Sequence, residues 1–336
     1  MFSWLKRRRP TRDKAQLSDD IARFIESSGL RADSEREARN FLSYLDNYRK
    51  PETIAAYHYV LEPLFEGGLG KRPRRILDYG CWYGLSSVMM ARLGAEVVGV
   101  DINPVALERG TGMLRAMGEG GVTLRHCNDF LTRPESFRSD LVVIMDVLCS
   151  ANPDDHPKIL AAAHAALVPD GWLLISDANN LRNRDVVEML QARWRDYEIG
   201  RGTIDAPAGD YHQGRRAFIA GHLPAADGAV LDRLARESCY LWGDELLAQV
   251  SARMAGTGAA SRFGPEGLVA PVRADDGCTF GTAIDPLKLV GMLREMGMAV
   301  EMRRALAGDP VPRDEEEGYA DPHYFIVARA HSGRRG

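Results

Sequence analysis

The chain has 336 residues, of which 45% are hydrophobic and 27% are charged, a composition typical of globular proteins. The formal net charge of -4 argues against a nucleic-acid-binding protein, and no apolar run approaches the roughly 20 residues of a membrane span, which argues against stable membrane insertion. Five scattered cysteines without a C-x-x-C pair predict neither a zinc site nor a disulfide framework, so a reducing, cytoplasmic location fits best.

The first 70 residues are predicted to be helical after a basic start. "MFSWLKRRRP" is interpreted as a solvated tail, and contact with an anionic membrane surface is the alternative. A helix is expected to begin at Ser18 and to end at Gly29. Tyrosines gather in the helices that follow, at Tyr44, Tyr48, Tyr57 and Tyr59. Burial preferences favour a core role for these rings over ligand contact.

Strands and helices alternate from residue 74 onwards. Short apolar runs predict strands, and helical spacing between them predicts the connecting helices. The helix after the second strand is expected to have Asn103 as its cap and Pro104 in its first turn. The first five predicted strands are "RRILDYG", "AEVVGVD", "GVTLRHCND", "DLVVIMDVL" and "PDGWLLISDANN". This alternation predicts a parallel sheet with helices on both faces.

The alternation stops after Asn180 and resumes at Asp285, which is expected to cap a helix followed by two strands. The segment between is rich in Gly, Arg and Ala and has no strand–helix rhythm. We therefore expect a sheet domain interrupted by an insertion. The predicted parts are an N-terminal helical arm over residues 1–70, a core over residues 71–180 plus 285–332, and an inserted substrate or lid region over residues 181–284.

Polar side chains follow each of five consecutive predicted strands. They are Asp78, Asp101, Asn128 with Asp129, Asp146 and Asp177. Ligands of an open parallel sheet bind at the carboxyl ends of its strands, so these side chains are expected to meet at one edge of the sheet. Helix capping accounts for some of them, but not readily for Asp78, which precedes a glycine turn.

The turn after the first strand has the features of a nucleoside-binding site. Gly80 and Gly84 permit positive φ and a close approach of the backbone to a ligand. Asp101 lies 21 residues after Gly80, near the spacing at which an acid binds ribose hydroxyls in dinucleotide-binding folds. The turn lacks the G-x-G-x-x-G pattern of NAD-binding proteins, and Asp78 would repel a pyrophosphate. S-adenosylmethionine, with its ammonium group and sulfonium centre, fits that acid better.

Five segments in order resemble motifs of the class I S-adenosylmethionine-dependent methyltransferases. They are "LDYGCWYG", "VVGVDINP", "CNDF", "DLVVIMDVL" and "LVPDGWLLISD". The resemblance covers residues 74–180 and, by topology, 285–330. It implies an α/β fold with a Rossmann-like seven-stranded sheet of strand order 3-2-1-4-5-7-6, N-terminal helices and a helical insertion after the fifth strand. It also implies S-adenosylmethionine as the cofactor.

The resemblance assigns cofactor contacts to the matching positions. The predicted cofactor-binding set is Asp78, Gly80, Cys81, Gly84, Asp101, Ile102, Asn128, Asp129, Phe130 and Asp146. Asp101 would bind the ribose, Ile102 would flank the adenine, and Asn128 or Asp129 would meet the adenine amine. The positions nearest the methionine part would be Asp78, Gly80 and Asp146.

Trp82 departs from the family pattern, which usually has a glycine at this position. Its side chain must either point away from the cofactor, packing under the N-terminal helices, or partly cover the cofactor. Because the other motif positions are intact, cofactor binding is still expected.

The sequence predicts the residues of the acceptor site less specifically than those of the cofactor site. Within the insertion, His212 is a candidate general base, and Arg215 with Arg216 is a candidate site for a carboxylate or phosphate; a surface histidine and a solvated helix face are the alternatives. Asp177, which would lie beside the methyl donor, is the second predicted catalytic residue. No metal is expected, because each acid at the strand ends has a cofactor role by resemblance.

The leading hypothesis is methyl transfer to a small molecule, more readily at oxygen than at nitrogen or carbon, and a homodimer is left open. One rival is a non-catalytic cofactor-binding or scaffold protein with a methyltransferase fold, in which Trp82 marks the loss of activity. Another is a nicotinamide-dependent reductase, against which the glycine spacing argues.

Overall fold

The computed structural model describes residues 12–31, 36–66, 68–198, 210–257, 270–275, 281–303 and 323–331. The basic start of the chain lies outside these ranges. Three helices precede the sheet: α1 (Arg12–Ser28), α2 (Arg36–Tyr48) and α3 (Pro51–Phe65). The strands are β1 (Arg75–Tyr79), β2 (Glu96–Asp101), β3 (Val122–His126), β4 (Ser139–Met145), β5 (Leu167–Asp177), β6 (Met298–Arg303) and β7 (Tyr324–Ala330).

The remaining helices connect the strands or lie in the insertion. Those between the first five strands are α4 (Leu85–Arg92), α5 (Pro104–Met117), α6 (Cys127–Thr132) and α7 (His156–Ala166). The insertion contributes α8 (Arg184–Glu198), α9 (Asp210–His222), α10 (Gly228–Glu237) and α11 (Gly243–Met254), and α12 (Pro286–Glu295) follows it. Among the described residues, no helix has the length and apolarity needed to cross a membrane.

The strands form one sheet in the order β3-β2-β1-β4-β5-β7-β6. The first five are parallel, whereas β7 is antiparallel to both β5 and β6. The predicted α/β fold and strand order are therefore confirmed. The chain order reverses between β1 and β4, and in such sheets the crevice at this point is where ligands bind.

Both faces of the sheet are buried, as the apolar strand runs predicted. In β1, Ile76 packs on the side of α1 to α5, while the next residue, Leu77, packs on the side of α6, α7 and α12. Leu141 and Val142 alternate in the same way in β4. This two-sided core holds the carboxyl ends of the parallel strands in fixed register.

The N-terminal helices belong to the first of these two core layers. Phe41 of α2 is buried there, with its ring centroid 4.6 Å from that of Tyr83 beside β1. Asn103 and Asp285 cap α5 and α12, as predicted. The predicted helix start at Ser18 is wrong, because α1 begins at Arg12, and the Ser18 hydroxyl instead donates to the carbonyl of Arg49.

The insertion leaves and rejoins the sheet at one point. Asn180 and Ile284 form a parallel β-bridge, and the N–H of Ile284 donates to the carbonyl of Asn179 at 2.8 Å. Helices α9, α10 and α11 share a hydrophobic cluster of their own, which includes Ile219 and Leu234. The insertion therefore packs largely on itself while both its ends lie beside the carboxyl end of β5.

Candidate functional site

The turn between β1 and α4 has a left-handed backbone at three positions. Gly80 has φ +79°, Trp82 has φ +49° and Gly84 has φ +87°. A Cβ on Gly80 would lie 2.3 Å from a methyl carbon of Val147, so packing against the loop after β4 requires glycine there as much as the dihedral does. The turn and the loop after β4 therefore meet at the sheet's reversal point.

Asp78 supports this turn from inside the core. Its side chain is 3% exposed, and one carboxylate oxygen accepts the hydroxyls of Ser86 at 2.7 Å and Ser87 at 2.6 Å. Burial raises the pKa of Asp78, and the two serine donors oppose that shift. The acid thus ties the end of β1 to the first turn of α4.

Trp82 points towards α2. Its ring stacks on Tyr83, with centroids 5.2 Å apart, and lies 5.3 Å from the ring of Tyr44. The side chain remains 46% exposed. Of the two orientations considered from the sequence, the structure has the one in which the indole packs against the N-terminal helices.

Asp101 joins the ends of β1 and β2. One of its oxygens accepts the N–H of Trp82 at 2.8 Å, and the other accepts the N–H of Asn103 at 2.9 Å. The next side chain, Ile102, is 66% exposed. A carboxylate has lone pairs for about four hydrogen bonds, so Asp101 can accept hydroxyl donors in addition to these two amides.

The segment after β3 is a short helix rather than the end of a strand. In α6, Asn128 and Asp129 are exposed, whereas Phe130 is fully buried between the rings of Tyr79 and Phe137. Phe130 therefore anchors α6 in the core. Cys81 is likewise 2% exposed, so this pair of predicted cofactor-binding residues has no side-chain access to the crevice.

Two carboxylates lie side by side at the ends of β4 and β5. Asp177 is 1% exposed, and its oxygens accept the N–H groups of Cys149 at 3.1 Å and Asn179 at 3.0 Å. Asp146 is exposed, has φ +54°, and has no hydrogen-bond partner for its carboxylate within the described part of the chain. Although the residue as a whole is exposed, protein surrounds its carboxyl group, and this desolvation, together with the charge of Asp177, raises the pKa of Asp146 to about 7.

An aromatic wall faces this acid from the N-terminal helices. It consists of Tyr44, Tyr48 and Tyr57, and the ring centroids of Tyr44 and Tyr48 are 4.5 Å apart and those of Tyr48 and Tyr57 are 5.1 Å apart. Burial, and then the negative charge of Asp146, raises the pKa of Tyr57 to about 12. The tyrosines that the sequence favoured as core residues thus also border the crevice.

The residues of the insertion that the sequence analysis singled out contact other residues of the insertion. His212 of α9 is 3.7 Å from Asp232 of α10, and its pKa is lowered by burial and by the charge of Arg215. Arg215 is 0% exposed and donates to the carbonyls of Ala235 at 2.6 Å and Cys239 at 3.3 Å. The predicted anion-binding role of Arg215 is therefore wrong, because its guanidinium is buried against the carboxyl end of α10. Arg216 pairs with Asp232 at 2.7 Å.

The structure thus divides the predicted site into two groups. The groups open to solvent are Asp101, Ile102, Asn128, Asp129 and Asp146, which follow β2, β3 and β4. The buried groups beneath them are Asp78, Cys81, Gly84, Phe130 and Asp177. Within the described ranges, no three His, Cys, Asp or Glu side chains are grouped as metal ligands. His126, which the sequence analysis did not single out, also lies at this edge of the sheet, with its Nε2 3.0 Å from the carbonyl oxygen of Ile102.

A seven-stranded sheet of this order, with a glycine turn after β1 and an acid at the end of β2, is the architecture that the resemblance to class I methyltransferases implies. Residues 45–209 match a family model described as a methyltransferase domain. That match spans just under half of the chain, and it agrees with the resemblance of the sequence motifs to the class I S-adenosylmethionine-dependent methyltransferases.

Among curated proteins, the chain is similar to the ubiquinone biosynthesis O-methyltransferase of Paraburkholderia phymatum, with 30% identity over 135 residues. That alignment covers 39% of this chain and 56% of the relative, so the chain spans about half the length of the curated relatives it matches. Among solved structures, an O-methyltransferase family protein from Burkholderia thailandensis aligns with a TM-score of 0.43 and 14% identity, covering 96% of this chain and 71% of that one. Human N-acetylserotonin methyltransferase aligns with a TM-score of 0.45 and 13% identity, covering 95% of this chain and 67% of that one.

Proposed function

We propose that this protein binds S-adenosylmethionine at the carboxyl ends of β1 to β4 and transfers the methyl group to a hydroxyl oxygen of a small molecule. The observation that carries the proposal is Asp101, whose carboxylate is held by two backbone amides beside the glycine turn and retains lone pairs for a ribose diol. The match of residues 45–209 to a methyltransferase-domain model supports the same cofactor.

The accessible side chains suit the parts of this cofactor. Ile102 offers an exposed apolar surface for one face of an adenine, and Asn128 and Asp129 offer acceptors for its amine. Asp146 carries the unpartnered negative charge near the methionine end. Asp78, Cys81, Gly84 and Phe130 are proposed to shape the site from beneath rather than through side-chain contact.

Asp146 is our proposed general base. When bound, S-adenosylmethionine supplies a methyl group activated by its sulfonium centre. Asp146 would take the proton of the acceptor hydroxyl, and the cofactor would supply the methyl group to that oxygen and leave as S-adenosylhomocysteine. A carboxyl group whose pKa is about 7 is well matched to proton transfer near neutral pH. Asp177, with an amide on each oxygen, is proposed to hold the loop that carries Asp146.

The acceptor is proposed to be aromatic, with a phenolic hydroxyl. Tyr57 lies near enough to Asp146 for that charge to act on its hydroxyl, and its ring adjoins that of Tyr48; an aromatic acceptor would gain about 0.5–1.5 kcal/mol from such a ring beyond burial. The similar curated proteins are named O-methyltransferases of ubiquinone biosynthesis, which supports oxygen as the acceptor atom. His212 stays a predicted alternative base, although its neighbour in the structure is Asp232 on the insertion.

The domain arrangement remains part of the proposal. Residues 71–180 plus 285–332 would form the catalytic core, residues 1–70 would cap it, and residues 181–284 would cover the acceptor. The β-bridge between Asn180 and Ile284 supports the insertion boundaries. Free cysteines, among them Cys81 and Cys149, support a cytoplasmic location. A small molecule is the proposed partner; no nucleic-acid role is proposed, and a homodimer is left open.

Calorimetry with S-adenosylmethionine and its demethylated product, S-adenosylhomocysteine, tests the cofactor. Micromolar binding of both is expected, and the absence of heat from either would leave only the non-catalytic scaffold. Transfer of a labelled methyl group to a panel of phenols then tests the reaction. Asp146→Asn should lower turnover by about a hundredfold or more at saturating cofactor, whereas His212→Ala should lower it little. The reverse pattern would make His212 the base.

A further inference from the structure

The two segments that the proposed function assigns to the adenine come from different strands. Ile102 follows β2, whereas Asn128 and Asp129 are in α6, after β3. We call these three residues the adenine slot. Their spacing is not determined by the chain between them, which runs through the whole of α5 and β3. A direct link between the two segments would therefore determine how well the slot fits a purine.

His126, the last residue of β3, makes that link. Its Nε2 lies 3.0 Å from the carbonyl oxygen of Ile102, and its Nδ1 accepts the N–H of Asn128 at 3.2 Å. A carbonyl oxygen only accepts, so Nε2 must bear the proton; an amide N–H only donates, so Nδ1 must be bare. One neutral tautomer satisfies both bonds, and the rigid imidazole fixes the distance between their partners.

The surroundings of His126 leave this bridge little freedom. In the β2–β3 ladder His126 is opposite Asp101, the proposed ribose acid. His126 is also the N-cap residue of α6, so its ring sets where that helix begins. Directly below, buried Phe130 ties α6 to the rings of Tyr79 and Phe137. Movement of the imidazole would displace the exposed residues of α6 relative to Ile102.

We propose that His126 is a positioning residue that sets the width of the adenine slot and so the selectivity of the site for adenine over a 6-oxopurine. This rests on the proposed function, since it requires the cofactor's base to lie between Ile102 and α6. Adenine presents an amine that can donate to Asn128 or to the Asp129 carboxylate, whereas a 6-oxopurine presents an acceptor, to which only the amide of Asn128 could donate. Discrimination requires those side chains to be held at hydrogen-bond distance.

His126→Asn separates the two bonds. Asparagine is a good N-cap residue and can still accept the N–H of Asn128, but its side chain is too short to span the distance to Ile102 as well. Calorimetry would measure the Kd of S-adenosylhomocysteine and of S-inosylhomocysteine for both proteins. We expect about tenfold weaker binding of the adenosyl compound to the variant, the effect of about one hydrogen bond. The preference for adenosyl over inosyl should fall towards one.

The control is His222→Asn in α9, where the ring also contacts a backbone carbonyl, that of Phe218 at 2.9 Å. It should leave both Kd values unchanged. The ratio of the two Kd values does not depend on the fraction of folded protein, so it remains informative if His126→Asn is less stable. Two-bond ¹H–¹⁵N NMR of the wild-type imidazole should give the Nε2–H tautomer.

Different failures overturn different statements. A wild-type protein that binds neither compound refutes the proposed function itself. Three results overturn the positioning role while leaving cofactor binding intact. They are equal binding of the two compounds by the wild type, an unchanged ratio of the two Kd values in His126→Asn, and an imidazole of His126 protonated on Nδ1. If His126→Asn weakens the binding of both compounds by the same factor, the positioning role is also overturned, because that result is expected from a residue that merely supports the fold.

Discussion

Asp101 accepts the backbone N–H of Trp82 at 2.8 Å, and this bond couples the end of β2 to the turn after β1. The left-handed backbone of Trp82 belongs to that turn, so a residue other than glycine is kept at a position that favours glycine. The carboxylate that is proposed to bind the ribose therefore also shapes the turn beneath the cofactor.

Replacing Asp101 by alanine should weaken S-adenosylhomocysteine binding by about 1.5–3 kcal/mol, the scale of hydrogen bonds to a charged group. The loss combines the ribose contacts with the freed N–H groups of Trp82 and Asn103. Titration calorimetry at fixed salt measures this loss of affinity. Asp101→Asn keeps one acceptor oxygen, so its affinity should lie between those of the wild type and the alanine variant. Unchanged affinity in the alanine variant would remove the ribose assignment.

Trp82→Gly should bind S-adenosylhomocysteine within about threefold of wild type, because the indole packs towards Tyr44 rather than into the crevice. Relief of left-handed strain and loss of the stack on Tyr83 are each worth about 1 kcal/mol and oppose one another, so thermal stability should change little. Trp82→Phe is the control that keeps a ring. A tenfold gain or loss in affinity for the glycine variant would mean that the indole covers the cofactor.

Asp146 should make the protein less stable as pH rises. Its folded-state pKa of about 7 exceeds the value of about 3.9 in an unfolded chain, so the folded state holds the proton more tightly and loses that advantage as the pH rises from about 4 through 7. Asp146→Asn cannot ionise and also relieves Asp177. The variant's melting temperature should therefore match wild type near pH 4 and exceed it increasingly up to about pH 8.

Thermal scans from pH 4 to pH 9 measure this difference. Asp146→Glu is the matched control, because it keeps an ionisable carboxyl group at the same place and should follow the wild-type trend. A constant difference between Asp146→Asn and wild type across that range would show that Asp146 titrates normally, and it would weaken its case as the base.

Arg215→Met should lower the free energy of unfolding by roughly 2–4 kcal/mol, because the carbonyls of Ala235 and Cys239 lose a charged donor in a buried setting. Arg216→Met is a matched control one residue away. Its ion pair with Asp232 is about 40% exposed on each side, so its loss should cost less than about 1 kcal/mol. Urea denaturation compares the two, and equal effects would contradict the structural role of Arg215.

Much of the site was predictable because motifs at strand ends are local. The glycine turn, Asp101 and Asn103 as a cap could each be predicted from short segments, and the resemblance of the motifs to a known family implied the seven-strand order. Apart from the boundaries of α1 and β3, the predictions that needed correction concern the burial of side chains. Arg215 looks like a surface arginine in its helix, and only the packing of α9 on α10 reveals that it is enclosed.

Cys81 and Phe130 illustrate the same limit. Both lie within motifs that resemble cofactor-binding segments, yet their side chains face the core. A motif specifies a stretch of backbone, and the side-chain direction within it depends on what packs on each face. Tyr57 is the converse case, since its own helix gives no sign that Asp146, some 90 residues away, is near enough to raise the pKa of its hydroxyl.

Sequence alone determined the alternation of strands and helices, and with it the sheet that collects Asp101, Asp146 and Asp177 at one edge, because apolar periodicity and turn residues act over a few positions. Tertiary structure alone decided which of those acids stays open to a ligand, where Trp82 points and what His126 joins. All three depend on contacts between residues far apart in the chain, such as Ile102 and His126, which are 24 positions apart. Burial and hydrogen-bond partners are determined only when such distant segments meet in the folded chain.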